Sequence, residues 1–199
     1  MRLIFMGTPT FAIPVLAGLT NISDSEVVAV FTTPDRAAGR GRKPELPIKD
    51  YAAELGIQVK QPETFRSDEV RAELTALQPD AIIVAAYGKL LPKPVLDVPK
   101  MGCLNIHPSL LPRHRGPSPV ATTILNRDGV TGLPSCCWMK GGHRTPHRTA
   151  RIFPARRREY RRLTKALFEL GARLLVETIP KWESGEIPNR KPGRIPSQC

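Results

Sequence analysis

The strongest constraint on the fold is a set of short, unbroken apolar runs, each ending in a turn signal and followed by a helical pattern. Residues 2–6 (Arg-Leu-Ile-Phe-Met) stop at Gly7, residues 26–31 precede a turn-rich loop, and residues 80–86 read Asp-Ala-Ile-Ile-Val-Ala-Ala. A strand with one wet face alternates apolar and polar residues, whereas a continuous run needs cover on both faces, as in parallel sheets flanked by helices. Between these runs, residues 15–19, 48–55, 67–77, 92–96 and 118–126 carry helix signals, with Pro14 suited to a first turn and Gly56 to a stop. Short strands are expected at 57–59 and 101–106, and a closing helix at 163–179, where apolar residues recur at 163, 167, 170, 174 and 175. The order predicts an α/β fold with a mostly parallel sheet.

The chain of 199 residues suits one domain of ~100–200 residues. It shows no signal-peptide pattern and no apolar run near the ~20 residues that span a bilayer, so a cytoplasmic protein without a membrane partner is expected. Four cysteines, two of them adjacent, do not form a disulfide framework. The net charge of +12 is unevenly placed: residues 134–162 carry nine bases and one acid, and residues 189–199 carry three bases and no acid. Those two stretches hold almost the whole excess, so the composition changes at Leu133 and again near Pro188.

Three loops carry chemistry. Gly7-Thr8-Pro9 follows the first strand but lacks the later glycines of a dinucleotide fingerprint, which argues against NAD. Residues 35–43 form a basic turn-rich loop in which Arg36, Arg40 and Arg42 could clamp phosphates or simply be solvated. Asn105 and His107 lie two apart at a strand end, so an amide and an imidazole share one face at the edge where parallel sheets bind ligands. Pro108-Ser109-Leu110-Leu111-Pro112 then supplies a stiff loop with two leucines that suit a planar ring.

Together with Phe11, Pro14, Gly39-Arg40-Gly41, Gln61-Pro62, Ala86-Tyr87-Gly88 and Arg115-Gly116, these segments resemble the methionyl-tRNA formyltransferases, a branch of the folate-dependent formyltransferases. The likeness is dense over residues 1–132 and resumes at 163–188. It implies a Rossmann-like catalytic domain over 1–188 followed by a barrel-like tRNA-binding domain, which is expected to be absent here. It also implies formyl transfer from 10-formyltetrahydrofolate to the α-amine of initiator methionyl-tRNA by a monomer without a metal. Asn105 and His107 match the family's donors to the charge that develops on the formyl oxygen. Ser109, Leu110, Leu111 and Pro112 match the folate-binding segment, and Arg36, Arg40 and Arg42 match the loop that touches the tRNA acceptor end. The alternatives are a folate-dependent formyltransferase acting on a sugar amine or glycinamide, and a catalytically dead RNA-binding remnant.

The likeness breaks where the family carries a Met-Asp-x-Gly-x-Asp-Thr-Gly segment, whose carboxylate raises the pKa of the histidine and helps move the amine proton. Here that place reads Cys136-Cys137-Trp138-Met139-Lys140-Gly141-Gly142-His143-Arg144, with no aspartate from Pro134 to Cys199. Residues 134–162 are expected to be translated out of frame. Trp138-Met139-Lys140-Gly141 must be encoded TGG-ATG-AAR-GGN, and omitting the first two bases yields Asp-Glu followed by Gly or Arg. A one-base shift of Gly142-His143-Arg144 permits Asp-Thr-Gly, so more than one insertion or deletion is required. Residues 189–199 read as a second slip that leaves an aberrant basic tail. Zinc is disfavoured because Cys136 and Cys137 lack a ligand spacing, and Arg156-Arg157-Arg158 reads as an accident of shifted codons rather than an RNA-binding arm. Few apolar residues recur regularly in this segment, which is therefore expected to be poorly ordered, and activity is expected to be impaired.

Overall fold

The computed structural model describes residues 1–35, 48–111, 113–114, 116–134, 137–138, 149–152 and 160–187. Five strands build a parallel sheet: β1 (Arg2–Gly7), β2 (Glu26–Phe31), β3 (Val59–Lys60), β4 (Ala81–Ala85) and β5 (Gly102–Asn105). β1 is central, with Met6 level with Phe31 on one side and Val84 on the other. The helices α1 (Ile13–Thr20), α2 (Ile48–Glu54), α3 (Asp68–Ala76), α4 (Lys93–Leu96) and α5 (Pro119–Leu125) interleave with the strands as the sequence pattern requires.

The unbroken apolar runs serve two cores at once. Leu3, Phe5, Val30, Ala81 and Ile83 point into a cluster with α1 and the long helix α6 (Tyr160–Glu183). Ile4, Met6, Phe31, Ile82 and Val84 point into a second cluster with Leu74 of α3 and Val95 of α4. Adjacent strand residues therefore face opposite interiors. Pro14 falls in the first turn of α1, and Ser67 caps α3 by accepting from the Val70 N–H at 3.5 Å.

The closing helix is longer than the 163–179 that the sequence predicts. Pro180 reads as a stop, since it removes a backbone donor. Trp182, only 1% exposed, carries the helix past it, because its burial outweighs one lost hydrogen bond. The strand expected at 57–59 is displaced to β3, where Val59 pairs with Val30. Three further strands have no counterpart in the sequence pattern: β6 (Thr131–Pro134), β7 (Cys137–Trp138) and β8 (Thr149–Ile152). β7 adds antiparallel to the β5 edge, and β6 pairs antiparallel with β8 in a separate ribbon. These are the described parts of residues 134–152, where the sequence predicts little order; the remainder of 134–159 and the tail 189–199 lie outside the described residues.

α6 lies tight against the chain just past β5 at Gly171, where a Cβ would lie 2.9 Å from Cγ2 of Ile106. Ile106 stands between Asn105 and His107, and a β-branched methyl has no flexible end to swing aside. Gly171→Val is expected to cost about 1–3 kcal/mol through overpacking, because the larger side chain must push helix from strand. Thermal unfolding checks this; a valine variant that melts with the unmodified chain refutes the close approach.

Candidate functional site

The site forms where the parallel strands end. β1 closes on Gly7, where a Cβ would meet the Phe5 ring at 2.6 Å and the Ala85 carbonyl at 2.9 Å. Only glycine lets the chain turn there against β4. Beyond it the loops are laced together. The Thr8 hydroxyl donates to the Tyr87 carbonyl at 3.0 Å and accepts from the Thr33 N–H at 3.3 Å. The Gln61 amide donates to the Thr33 carbonyl at 2.9 Å. The Lys89 ammonium donates to the Pro62 and Glu63 carbonyls at 2.8 and 2.7 Å.

This lacing holds the 86–90 loop in an unusual shape. Ala86 has φ +51° and Gly88 φ +83°, and alanine in the left-handed region costs roughly 1–3 kcal/mol unless its surroundings impose it. Between them Tyr87 is 2% exposed, with its ring 5.9 Å from that of Phe65. Burial pushes its phenol up to about 12, so Tyr87 stays neutral at ordinary pH and offers a ring rather than a charge.

A cavity of about 610 Å³ opens against this loop. Asn105 and His107 form part of one wall, and Phe11, Leu90, Val120 and Phe168 supply apolar surface. Leu90 is 96% exposed at the rim, and Phe11 meets Phe168 edge-on with centroids 4.7 Å apart. Among the described residues lining the cavity, Lys89 is the charged side chain and none is acidic. A second cavity of about 550 Å³, lined by residues 8–11, Pro14 and the start of α6, shares Phe11, Tyr160 and Thr164 with the first.

His107 is 8% exposed, and its Nε2 lies 3.0 Å from the carbonyl oxygen of His114. A carbonyl only accepts, so Nε2 carries a proton in this contact. The turn that follows is closed internally. Ser109 N–H donates to the His107 carbonyl at 2.8 Å, the Ser109 hydroxyl donates to the Arg113 carbonyl at 2.9 Å, and Arg113 N–H donates to the Leu110 carbonyl at 3.0 Å.

The structure thus brings together Asn105 and His107, as their spacing predicts. It does not place Ser109, Leu110 or Leu111 on the cavity wall; Ser109 is fully buried and braces the loop, and Pro108 takes the wall position. Pro112, Arg36, Arg40 and Arg42 lie outside the described residues. Sequence reasoning did not single out Lys89, Leu90, Val120, Tyr160, Thr164 and Phe168 as lining residues. The dense Gly-Lys-Leu-Leu-Pro stretch at 88–92 could have pointed to the first two, whereas the others come from helices whose docking no local pattern reveals.

Residues 1–140 match the formyl transferase family. Over 191 residues the chain is 45% identical to the methionyl-tRNA formyltransferase of Roseiflexus sp. (strain RS-1), covering 94% of this chain and 58% of that protein. It is 54% identical over 134 residues to the methionyl-tRNA formyltransferase of Hydrogenovibrio crunogenus, covering 67% of this chain and 43% of that protein. The chain spans about three fifths of the length of the curated relatives it matches. In fold it resembles the phosphoribosylglycinamide formyltransferase of Bacillus halodurans, with a TM-score of 0.74 at 20% identity, covering 94% of this chain and 97% of that one. Among the described residues no group of His, Cys, Asp or Glu is placed to hold a metal, and no helix is long and apolar enough to cross a membrane.

Proposed function

The chain belongs to the formyl transferase family, and we propose that it transfers a formyl group from 10-formyltetrahydrofolate to the α-amine of initiator methionyl-tRNA, at an impaired rate. The observation that carries this reading is the pairing of Asn105 and His107 on the wall of one largely apolar cavity at the carboxyl edge of the sheet. A volume of about 610 Å³ falls within the range of ~300–1,000 Å³ usual for sites that enclose an organic ligand. Leu90, Pro108 and Val120 suit a planar ring, and Asn105, His107, Ser118 and Thr164 add polar groups to the lining.

The folate supplies an activated formyl carbon. Asn105 offers an amide N–H to the formyl oxygen as negative charge develops there, and His107 in its protonated form offers a second donor. Lys89 lines the same cavity while its ammonium is tied to the Pro62 and Glu63 carbonyls. Ser109, Leu110 and Leu111 serve the folate by shaping the turn that carries Pro108, and Pro112 belongs to the same folate-binding segment. Arg36, Arg40 and Arg42 hold the phosphates of the tRNA acceptor end. The working unit is a cytoplasmic monomer whose catalytic domain spans residues 1–188, with 134–162 out of frame and 189–199 an aberrant tail.

Single-turnover assays with the protein in excess test this. Asn105→Ala and His107→Ala are each expected to slow transfer to methionyl-tRNA about 10²–10³-fold, the usual cost of a lost donor to a developing oxyanion. Binding of 10-formyl-5,8-dideazafolate should persist in both. Arg40→Ala and Arg42→Ala should weaken tRNA binding without altering the use of a small amine. Transfer that survives both wall substitutions overturns the assignment; indifference to the two arginines favours a sugar-amine or glycinamide acceptor.

A further inference from the structure

We propose that Asp128 and His114 are positioning residues for His107, forming a relay that fixes which imidazole nitrogen carries the proton. It builds on the role assigned to His107 above.

The relay starts on a rigid element. At the carboxyl end of α5 the Asp128 N–H donates to the Thr123 carbonyl at 3.1 Å and the Arg127 N–H to the Ile124 carbonyl at 3.1 Å. The Asp128 carboxylate is thereby held against the His114 ring, with Oδ2 2.5 Å from Nε2. Both side chains are well shielded, at 17% and 11% exposure. A hydrogen bond to a carboxylate in that setting is stronger than an exposed surface pair.

That anchoring energy has a use one bond further along. His114 sits at φ +54°, a conformation rare outside glycine and enriched in Asn, Asp and His. The strained backbone presents the His114 carbonyl to His107 Nε2 at 3.0 Å. The Ser109 hydroxyl bonds the neighbouring carbonyl, that of Arg113, at 2.9 Å, so two adjacent carbonyls of the turn are both directed by specific donors. Without the Asp128 anchor nothing in this set compensates the left-handed backbone at His114. The carbonyl would then be expected to rotate away, and His107 would lose the acceptor that defines its tautomer. Asp128 does not replace a carboxylate beside His107, because the described contact is with His114. It orients the imidazole through the His114 carbonyl.

The test is solvent exchange of the His107 Nε2 proton, followed by nitrogen-15 NMR on the ligand-free protein. Asp128→Ala and His114→Ala are expected to speed that exchange about tenfold or more, matching the loss of one charge-assisted hydrogen bond. His114→Gln keeps an N–H at the reach of Nε2 and should restore slow exchange. Melting curves identify any variant that has merely unfolded, and the glutamine variant keeps the test decisive if the alanine variants do so. Unchanged exchange in folded Asp128→Ala, or failure of His114→Gln to restore it, overturns the relay. Because no folate, tRNA or turnover enters the measurement, its outcome is independent of whether the chain transfers formyl groups.

Discussion

The chemical step of formylation by this chain is expected to run about 10²–10⁴-fold below that of the relative from Roseiflexus sp. (strain RS-1), the usual cost of a missing general acid–base group. Asp128 is the last aspartate in the sequence. The described acids beyond it, Glu169, Glu177, Glu183 and Glu186, lie exposed on α6 or just after it. The described lining of the cavity includes no acid. The described hydrogen bond of His107 goes to a carbonyl, which orients the ring. The amine of the acceptor must also lose a proton, and a carboxylate is the group best suited to help. Saturating methionyl-tRNA in single-turnover experiments separates this loss from any weakness in tRNA binding, which appears in the concentration dependence instead. A rate constant within tenfold of the relative's would show that a carboxylate beside His107 is dispensable.

Phe168→Ala is expected to destabilise the protein by about 3–5 kcal/mol, the range for deleting a buried aromatic ring. Phe168 is 2% exposed and belongs to the core between the sheet and α6. It also forms part of the cavity wall and meets the Phe11 ring edge-on at 4.7 Å. The edge-on pair adds about 0.5–1.5 kcal/mol beyond burial, so the loss should fall in the upper part of that range. Domains of this size are stable by only ~5–15 kcal/mol. The variant should therefore unfold at much lower denaturant concentration with an unchanged slope. Where it remains folded, binding of the folate analogue should weaken, because the wall has receded. Phe168→Leu, which keeps most of the apolar volume, should recover the larger part of both. An alanine variant with an unaltered midpoint would mean that α6 is not docked through this ring.

Much of the fold was legible because parallel strands buried on both faces leave a mark that is local and strong. Residues 80–86 can scarcely be anything else, and 2–6 and 26–31 follow the same rule. The pairing of Asn105 with His107 was legible for an equally local reason: they are two apart on a strand end, and pleating alone puts them on one side. The reach of α6 was not, since Pro180 argues for a stop and only the pocket that receives Trp182 overrules it. β3 moved because its neighbour, not its own composition, chooses the register. β6, β7 and β8 depend on a pairing partner brought from elsewhere in the chain. Ser109 is assigned to the folate only through the family resemblance, and only the folded turn shows that its hydroxyl donates to the Arg113 carbonyl.

The sequence by itself determined the layered α/β architecture, the amide–imidazole pair and the lack of any aspartate after Asp128, because each is written in residue type and short spacing. Tertiary structure alone decided that Phe168 walls the cavity and that Gly171 must be small. It also decided that Asp128 reaches His107 through the backbone of His114. Those relations join residues far apart in the chain, and they exist only once helix packing has closed the distances over which hydrogen bonds and van der Waals contacts act.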